Sequence, residues 1–416
     1  MKFSEYSLSI ELKQNLERLG FNRPTDIQFK TIGPILRGED LLAIAQTGTG
    51  KTAAFAIPIL DKLHKSKTSK RSDGIKCLVM VPTRELAIQI TEAFNELGKN
   101  LRVKTASIYG GVDQDPQIIK LEKGVDILVT TPGRMFDFLH QKHLRLNRVT
   151  TLVLDEADHM LDLGFLKDIQ DVNKFLPKDK QTLFFSATID KKIKKYAYSL
   201  IKGNAIHIQI SPKNPVNKNI THTITKIKMD DKRFFLERLI KDNPESKMLV
   251  FVRTKIRAER VKKAMARVNI NADTIHGDKE QKDRLIALNK FKSGDTKVLI
   301  ATDVSARGID IPNVEFVVNY DIPEQAENYV HRIGRTGRGN NKGIAVSFYS
   351  PEEKSLIEDI EKYLGQRIEN VQISKKEYGE IINFREEKIN DWKSVINQID
   401  ELENLKKKKK KKKRKK

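Results

Sequence analysis

The sequence predicts an α/β protein built from two tandem, doubly wound parallel-sheet domains. Three observations carry the prediction. Short, continuously apolar runs alternate with helical patterns, as strands of a parallel sheet covered on both faces do. The alternation occurs twice, on either side of the polar stretch Ser211 to Asn219. A glycine-rich turn, Ala45-Gln46-Thr47-Gly48-Thr49-Gly50-Lys51-Thr52, joins the first apolar run to a helical pattern.

In the first half the strand-like runs are 40–45, 76–81, 105–109, 126–130, 151–155 and 181–186, with helical patterns such as Arg84 to Gly98 between them. In the second half they are 247–252, 272–275, 297–301, 314–319 and 343–348, with helices near 255–268, 279–292 and 352–364. The chain has 416 residues, and at about 150 residues per domain two large domains plus extras are expected. The division read from these patterns is 1–210 and 220–372 for the domains, 211–219 for the linker, 373–405 for a helical extension and 406–416 for a lysine-rich tail.

The extension is charged, with one apolar stripe at Ile389, Trp392, Ile396 and Ile399. Two heptads are too few for a coiled coil, so the stripe is expected to pack on the second domain. The run from Lys406 to Lys416 cannot bury apolar surface and is expected to stay disordered.

Net charge is +23, of which that tail supplies eleven, so the body still carries +12. A polyanionic partner follows, most simply nucleic acid. No apolar run approaches the roughly 18 residues of a membrane helix. The start, MKFSEYSLSI, lacks a basic segment followed by an apolar one, so no secretion signal is expected. The single cysteine, Cys77, lies in an apolar run and is expected to pack as a small buried side chain. A reducing cytoplasm fits this usage.

The turn at 45–52 has the chemistry of a phosphate cradle. Backbone N–H groups of such a turn wrap an anion, and the helix dipole that follows adds favourable charge. Lys51 reaches the β/γ-phosphates and the Thr52 hydroxyl takes a place on Mg²⁺. The pattern G-x-x-x-x-G-K-[ST] is met except at its first position, where Ala45 stands.

Val153-Leu154-Asp155-Glu156-Ala157-Asp158 is an apolar strand ending in acids. Alone it reads as a solvated turn or helix cap. Paired with the Lys51-Thr52 loop, Asp155 is expected to hold Mg²⁺ and Glu156 to orient and deprotonate an attacking water. His331-Arg332-Ile333-Gly334-Arg335-Thr336-Gly337-Arg338 brings three arginines and two glycines into eight residues. Arginines of this kind stabilise the charge that develops on a transferred phosphoryl group.

Together these stretches resemble the DEAD-box RNA helicases of superfamily 2, and within them the bacterial RhlE-type proteins. The likeness covers roughly residues 3 to 350. It rests on an ordered set: Gly20 to Gln28, Ala45 to Thr52, Pro82 to Ala87, Gly110-Gly111, Thr131 to Arg134, Asp155 to Asp158 and Ser186-Ala187-Thr188. The set continues in the second half with Val250 to Thr254, His276-Gly277-Asp278, Gln281 to Arg284, Ala301 to Asp310 and His331 to Arg338. Relatives often begin the phosphate loop with Ala, so Ala45 agrees with the family.

The resemblance implies RecA-like domains, ATP and Mg²⁺ as cofactors, and RNA as partner. It implies that Phe21 stacks on adenine and Gln28 reads its edge. Thr47, Gly48, Thr49, Gly50, Lys51 and Thr52 hold the phosphates, with Thr52 and Asp155 on the metal. Gly308 lies near the γ-phosphate, Asp310 binds the ribose, and Arg335 and Arg338 act as fingers. Ser186 and Thr188 couple hydrolysis to strand separation.

RNA contacts are implied for Thr83, Arg84, Gly111, Thr131, Gly133 and Arg134, and in the second domain for Thr254, Gly277, Arg284 and Thr302. These groups bind phosphate and sugar and do not read base edges, so recognition is expected to be independent of sequence. The expected activity is RNA-stimulated ATP hydrolysis with local unwinding of short duplexes by a monomer. The same residues also suit an ATP-gated RNA clamp with little unwinding. Relatives of the RhlE type are linked to ribosome maturation and RNA turnover, which are the implied settings.

Overall fold

The computed structural model describes residues 2–383 except 47, 189–190, 202, 204, 211–215, 307–310, 312–313 and 338–340. The first half forms a seven-stranded sheet from β1 (Leu41–Ala45), β2 (Cys77–Met80), β3 (Thr105–Ile108), β4 (Ile127–Thr130), β5 (Thr151–Leu154), β6 (Gln181–Ser186) and β7 (Ile206–Ile210). The second half forms another from β8 (Ile220–Lys226), β9 (Met248–Phe251), β10 (Ala272–Ile275), β11 (Val298–Ala301), β12 (Phe316–Asn319), β13 (Gly343–Tyr349) and β14 (Glu369–Asn370).

All pairings are parallel. The strand orders are β3-β4-β2-β5-β6-β1-β7 and β10-β11-β9-β12-β13-β8-β14. Adding seven to each number of the first order gives the second, so one topology is used twice. This is the doubly wound α/β architecture that the alternating runs predict. The predicted runs contain β1 to β6 and β9 to β13, save that β13 runs one residue past 343–348, to Tyr349.

Three strands escape that pattern. β7 and β8 alternate polar and apolar residues, Ile-His-Ile-Gln-Ile and Ile-Thr-His-Thr-Ile-Thr-Lys. β14 has two residues, both exposed. β7 and β14 are the edges of their sheets, where one flank is open to solvent and a continuous apolar run is not required.

Each sheet is covered on both faces. In the first, Val79 and Leu183 join one apolar layer, and Leu78, Leu152 and Phe184 join the other. In the second, Leu249 and Val317 face one layer and Val250 and Val318 the other. Burying one such side chain contributes about 1.5–3 kcal/mol. Cys77 is fully buried in this core as a free thiol, and burial pushes its pKa up.

The polar stretch between the halves is not all free of the sheets. Val216 is buried in the second core, and Asn217 Nδ2 donates to Gly337 O at 3.0 Å. Beyond β14, the helix Lys375–Asn383 docks on the second domain. Tyr378 anchors it: its hydroxyl donates to Asp231 at 2.8 Å and accepts from the Lys228 N–H, and its ring lies 5.0 Å from Phe235. The stripe at Ile389–Ile399, Trp392 and the lysine run lie outside the described residues. Among the described residues no helix is long and apolar enough to cross a membrane.

A buried charge network braces the second domain. Glu353 accepts from Lys232 Nζ at 2.5 Å, from Arg253 Nη2 at 3.1 Å and from the N–H groups of Ser350 and Ile322. Asp321 takes Arg257 at 2.8 Å and the Arg253 N–H at 3.0 Å. Lys232 is fully buried, and without Glu353 only the Asp321 carboxylate, at 3.9 Å, is left among the described residues to face its charge. Glu353→Gln is expected to cost about 3–5 kcal/mol. A denaturant midpoint unchanged from wild type would show that the network does not hold the domain.

Candidate nucleotide and RNA site

The phosphate loop leaves the C-terminal end of β1 and enters the helix Lys51–Ser66. Gly48 and Gly50 have φ of 80° and 91°, a left-handed conformation that glycine adopts without penalty. A Cβ on Gly50 would also sit 2.5 Å from Gln28 Nε2. That closeness is functional geometry, because the helix Asp26–Arg37 is pinned to the loop. Thr25 Oγ1 donates to Thr49 O at 2.8 Å, and Gln28 Nε2 donates to Gly50 O at 3.2 Å. Gln28 Oε1 accepts from the Thr25 N–H, closing a capping box. Phe21 is half-buried just before this helix, packed edge-on to Phe3. Thr47 lies outside the described residues.

Lys51 is buried, and its Nζ donates to Ala45 O at 2.7 Å. The lysine is thus folded over its own loop, pointing its charge into the cradle. Asp155 and Glu156 follow β5, two strands away in the sheet. Burial pushes the Asp155 carboxyl up to about 7, Lys51 pulls it down, and Glu156 pushes it up again. A cation beside it would offset that cost, so Thr52 and Asp155 fit Mg²⁺. No group of three or more His, Cys, Asp or Glu suited to enclosing a metal occurs among the described residues.

Glu156 adopts φ 50°, ψ 47°, a conformation that costs a non-glycine residue free energy. Burial raises its pKa, but His159, Arg335 and Lys51 outweigh burial and bring it to about 2. His159 Nδ1 stands 3.5 Å from the Glu156 carboxylate on the next helical turn. The sequence reading overlooked His159. Its i, i+3 spacing from Glu156 was the available signal.

The last acid of the set does a different job. Asp158 accepts from the N–H groups of Ala187 and Thr188 at 3.0 Å and from Thr188 Oγ1 at 3.1 Å. Ser186 Oγ donates to Thr188 O at 2.7 Å. Asp158, two residues past Glu156, is therefore tied to the Ser186–Thr188 turn.

The arginines of the second domain differ among themselves. Arg335 is buried, donates to His331 O and acts electrostatically on Glu156 of the first domain. Arg332 is committed internally: it forms a two-pronged pair with Asp303 at 2.6 and 2.7 Å and donates to Asn319 and Asp321 O. Arg338, Gly308 and Asp310 lie outside the described residues.

The candidate RNA residues follow the strand repeat. Thr83 follows β2 and Thr254 follows β9, its counterpart. Thr131 and Thr302 follow β4 and β11, and Gly111 and Gly277 lie just past β3 and β10. Three adjacent strands in each sheet thus end in the same residue types. Thr83 and Thr254 each accept from the N–H three residues on, at 3.3 and 3.2 Å, and so cap their helices. The helix N-termini at these strand ends present N–H groups to an anion. At Gly133 and Gly277 a Cβ would meet nothing within 4 Å, so the chain itself does not demand glycine there.

Arg84 lies over Gly111, where a Cβ would overlap its guanidinium. Arg134 donates to Val112 O at 3.0 Å and stacks on Phe138. Arg284 is placed differently from its neighbours. It is buried and pairs with Glu85 of the first domain at 2.9 Å, and burial lowers its pKa. Gln281 donates to the same Glu85 oxygen at 3.0 Å and accepts from Arg84 at 3.4 Å. Glu85 and Gln281 stand in the motifs at Pro82 to Ala87 and Gln281 to Arg284, but the sequence assigns neither a role. The i, i+3 spacing of Gln281 and Arg284 was the signal, but only the docked domains reveal its partner.

This cluster is a direct contact between the halves. Glu85→Ala is expected to weaken RNA-stimulated ATP turnover at least about tenfold, since it leaves the buried Arg284 charge unpaired. The basal rate without RNA should change little. Equal loss of both rates would remove the domain-pairing role.

Two repeated sheets with a phosphate loop on one and arginines on the other define a nucleotide-driven, two-domain motor of the RecA-like class. Comparisons with known proteins make the class specific. The DEAD/DEAH box helicase model matches residues 25–196 and the helicase conserved C-terminal domain model matches residues 231–340. The chain belongs to the DEAD-box ATP-dependent RNA helicases, which are RNA-stimulated ATPases. It is 41% identical over 369 residues to the DEAD-box ATP-dependent RNA helicase CshA of Bacillus subtilis, covering 89% of this chain and 74% of that protein. Its structure is similar to that of S. cerevisiae Dbp5 bound to RNA and ADP BeF3, with a TM-score of 0.81, 31% identity and coverage of 89% and 95% of the two chains. Mss116p bound to ssRNA and AMP-PNP gives 0.81 with 29% identity, covering 92% and 81%. These comparisons carry the family and not the RhlE-type subgroup.

Proposed function

We propose that the chain closes its two domains on ATP and RNA together, and that this closed state parts short RNA duplexes locally. The carrying observation is electrostatic: Arg335 of the second domain acts on Glu156 of the first. A site shared between domains is complete only when they meet. ATP and RNA then favour the same state, and by linkage each raises affinity for the other.

In this reading the loop Thr47–Thr52 holds the phosphates, Phe21 and Gln28 recognise adenine, and Asp310 and Gly308 complete the pocket. When bound, Mg²⁺ at Thr52 and Asp155 neutralises phosphate oxygens. Glu156 orients the attacking water and takes its proton. Its low pKa keeps it ionised, and so able to accept, throughout the neutral range. Arg335 and Arg338 stabilise charge on the transferred group. Ser186 and Thr188, tied to Asp158, pass the change to the RNA face.

RNA runs along the paired strand ends, held at Thr83, Arg84, Gly111, Thr131, Gly133 and Arg134, then at Thr254, Gly277 and Thr302. Arg284 serves it indirectly, through Glu85. The contacts reach phosphate and sugar, so base sequence is not read. The protein acts as a cytoplasmic monomer in ribosome assembly or RNA turnover, with the lysine tail as an added RNA tether. RNA oligonucleotides should stimulate ATP hydrolysis and DNA of the same sequence should not, because 2′-hydroxyls mark RNA. Equal stimulation by both would overturn the proposal.

A further inference from the structure

We propose that the first domain carries a second anion site, at the end of its sheet opposite the phosphate loop, for a small ligand bearing at least two phosphate groups. A cavity of about 550 Å³ opens there, a volume typical of small-molecule sites. Lys76, just before β2, and Thr151, at the start of β5, lie on its wall, so it sits at the N-terminal ends of the strands. The other wall is the C-terminal part of the helix Lys51–Ser66. The lining residues of that helix run from Ile59 to Ser66, so the cavity lies about 12–24 Å along the helix from the phosphate loop at its start.

Charge selects the ligand. The lining holds four cations, Lys62, Lys67, Arg71 and Lys76, against one carboxylate, Asp73. Lys67 is neutralised by Asp126, at 2.7 and 2.8 Å, and Lys76 by Asp73 at 3.0 Å. Asp73 is itself shared with Arg148 at 2.7 Å. Lys62 and Arg71 have no carboxylate partner among the described residues. Lys62 is half-buried and donates only to neutral oxygens, Gln181 Oε1 at 3.0 Å and Ile35 O at 3.4 Å. Burial accordingly lowers its pKa.

A partly buried cation without a counter-charge is costly, and an anion removes the cost. Lys62 is that cation; Arg71, exposed at the rim, adds a second charge with no carboxylate partner among the described residues, so a ligand with two anionic groups matches both. The C-terminal helix dipole opposes an anion here, so the cations and not the backbone must hold it. Ile59 and Leu63 give the rest of the ligand an apolar wall. The feature is independent of the family's nucleotide and RNA sites, which lie at the opposite strand ends.

The test is residue-resolved lysine footprinting on the full chain, with AMP-PNP and a short RNA oligonucleotide saturating the other sites. Inorganic tripolyphosphate is the probe, and acetylation is read by mass spectrometry, which separates these lysines from the basic tail. Saturable protection of Lys62 and Lys76 is expected, with exposed Lys30 unprotected. Arg71→Gln should raise the half-protecting concentration at least tenfold while leaving RNA-stimulated ATP turnover unchanged. Lys62→Gln should do the same, but Arg71→Gln, a loop residue, keeps the test valid if Lys62→Gln misfolds. No protection, protection equal to that of Lys30, or an unchanged midpoint in Arg71→Gln overturns the proposal. So does displacement of the probe by longer RNA that itself protects these lysines, which would give the cavity to RNA.

Discussion

Replacing Lys51 by alanine is expected to abolish measurable ATP turnover, a loss of at least about 10² in rate, the scale for removing one preorganised donor. Two effects add. The substitution removes the charge that meets the β/γ-phosphates from inside the loop, where Nζ now rests on Ala45 O. It also removes the group that holds the Asp155 carboxyl down against burial. Asp155 then titrates above its present value of about 7, is more fully protonated at neutral pH and is a poorer metal ligand. The protein should still fold, because the loop is anchored separately by Thr25 and Gln28. Phosphate release at saturating RNA measures the effect, with the thermal melt as the folding control. Undiminished RNA-stimulated release would remove Lys51 from the nucleotide site.

Arg335→Ala is expected to lower ATP turnover by about 10³–10⁵ while ATP still binds. The cradle, the acids and the adenine-recognising residues all belong to the first domain, so affinity survives. What is lost is the positive charge brought by the second domain. Its removal also lets the Glu156 pKa rise from about 2, which Arg335 helps to hold down. Arg335→Lys restores the charge but not the planar fork, so partial recovery is expected. Fluorescent ATP-analogue binding and single-turnover hydrolysis separate the two properties. Normal turnover in Arg335→Ala would end the finger assignment, and loss of binding would place the residue in the cradle instead.

Much of this architecture was legible in the chain. The central strands could be read because a parallel strand buried on both faces must be apolar throughout, as Leu41–Ala45 and Ile127–Thr130 are. β7 and β8 were not legible, since alternating residues such as Ile206-His207-Ile208 suit edge strands and loops equally. The phosphate loop could be read because its chemistry is local: glycines, Lys51 and Thr52 sit within a few residues of one another. The matching positions of Thr83 and Thr254, which cap the helices after β2 and β9, emerge only when the two strand orders are compared.

The partners of charged groups were another matter. From sequence, Arg84, Arg134 and Arg284 are alike as cations suited to RNA phosphate, and Arg335 is expected at the nucleotide. The structure separates them, sending Arg284 to Glu85 across the domain boundary and Arg335 toward Glu156. Arg332, in the same eight-residue motif as Arg335, braces Asp303 within its own domain. The sequence by itself determined two doubly wound sheets and a phosphate loop, because periodicity and short-range chemistry are written along the chain. Only the tertiary structure decided which arginine lies toward Glu156, which pairs across the domain boundary and which braces its own domain. An ion pair depends on distance and burial in space, and residues 85 and 284 meet only after both sheets have formed and docked.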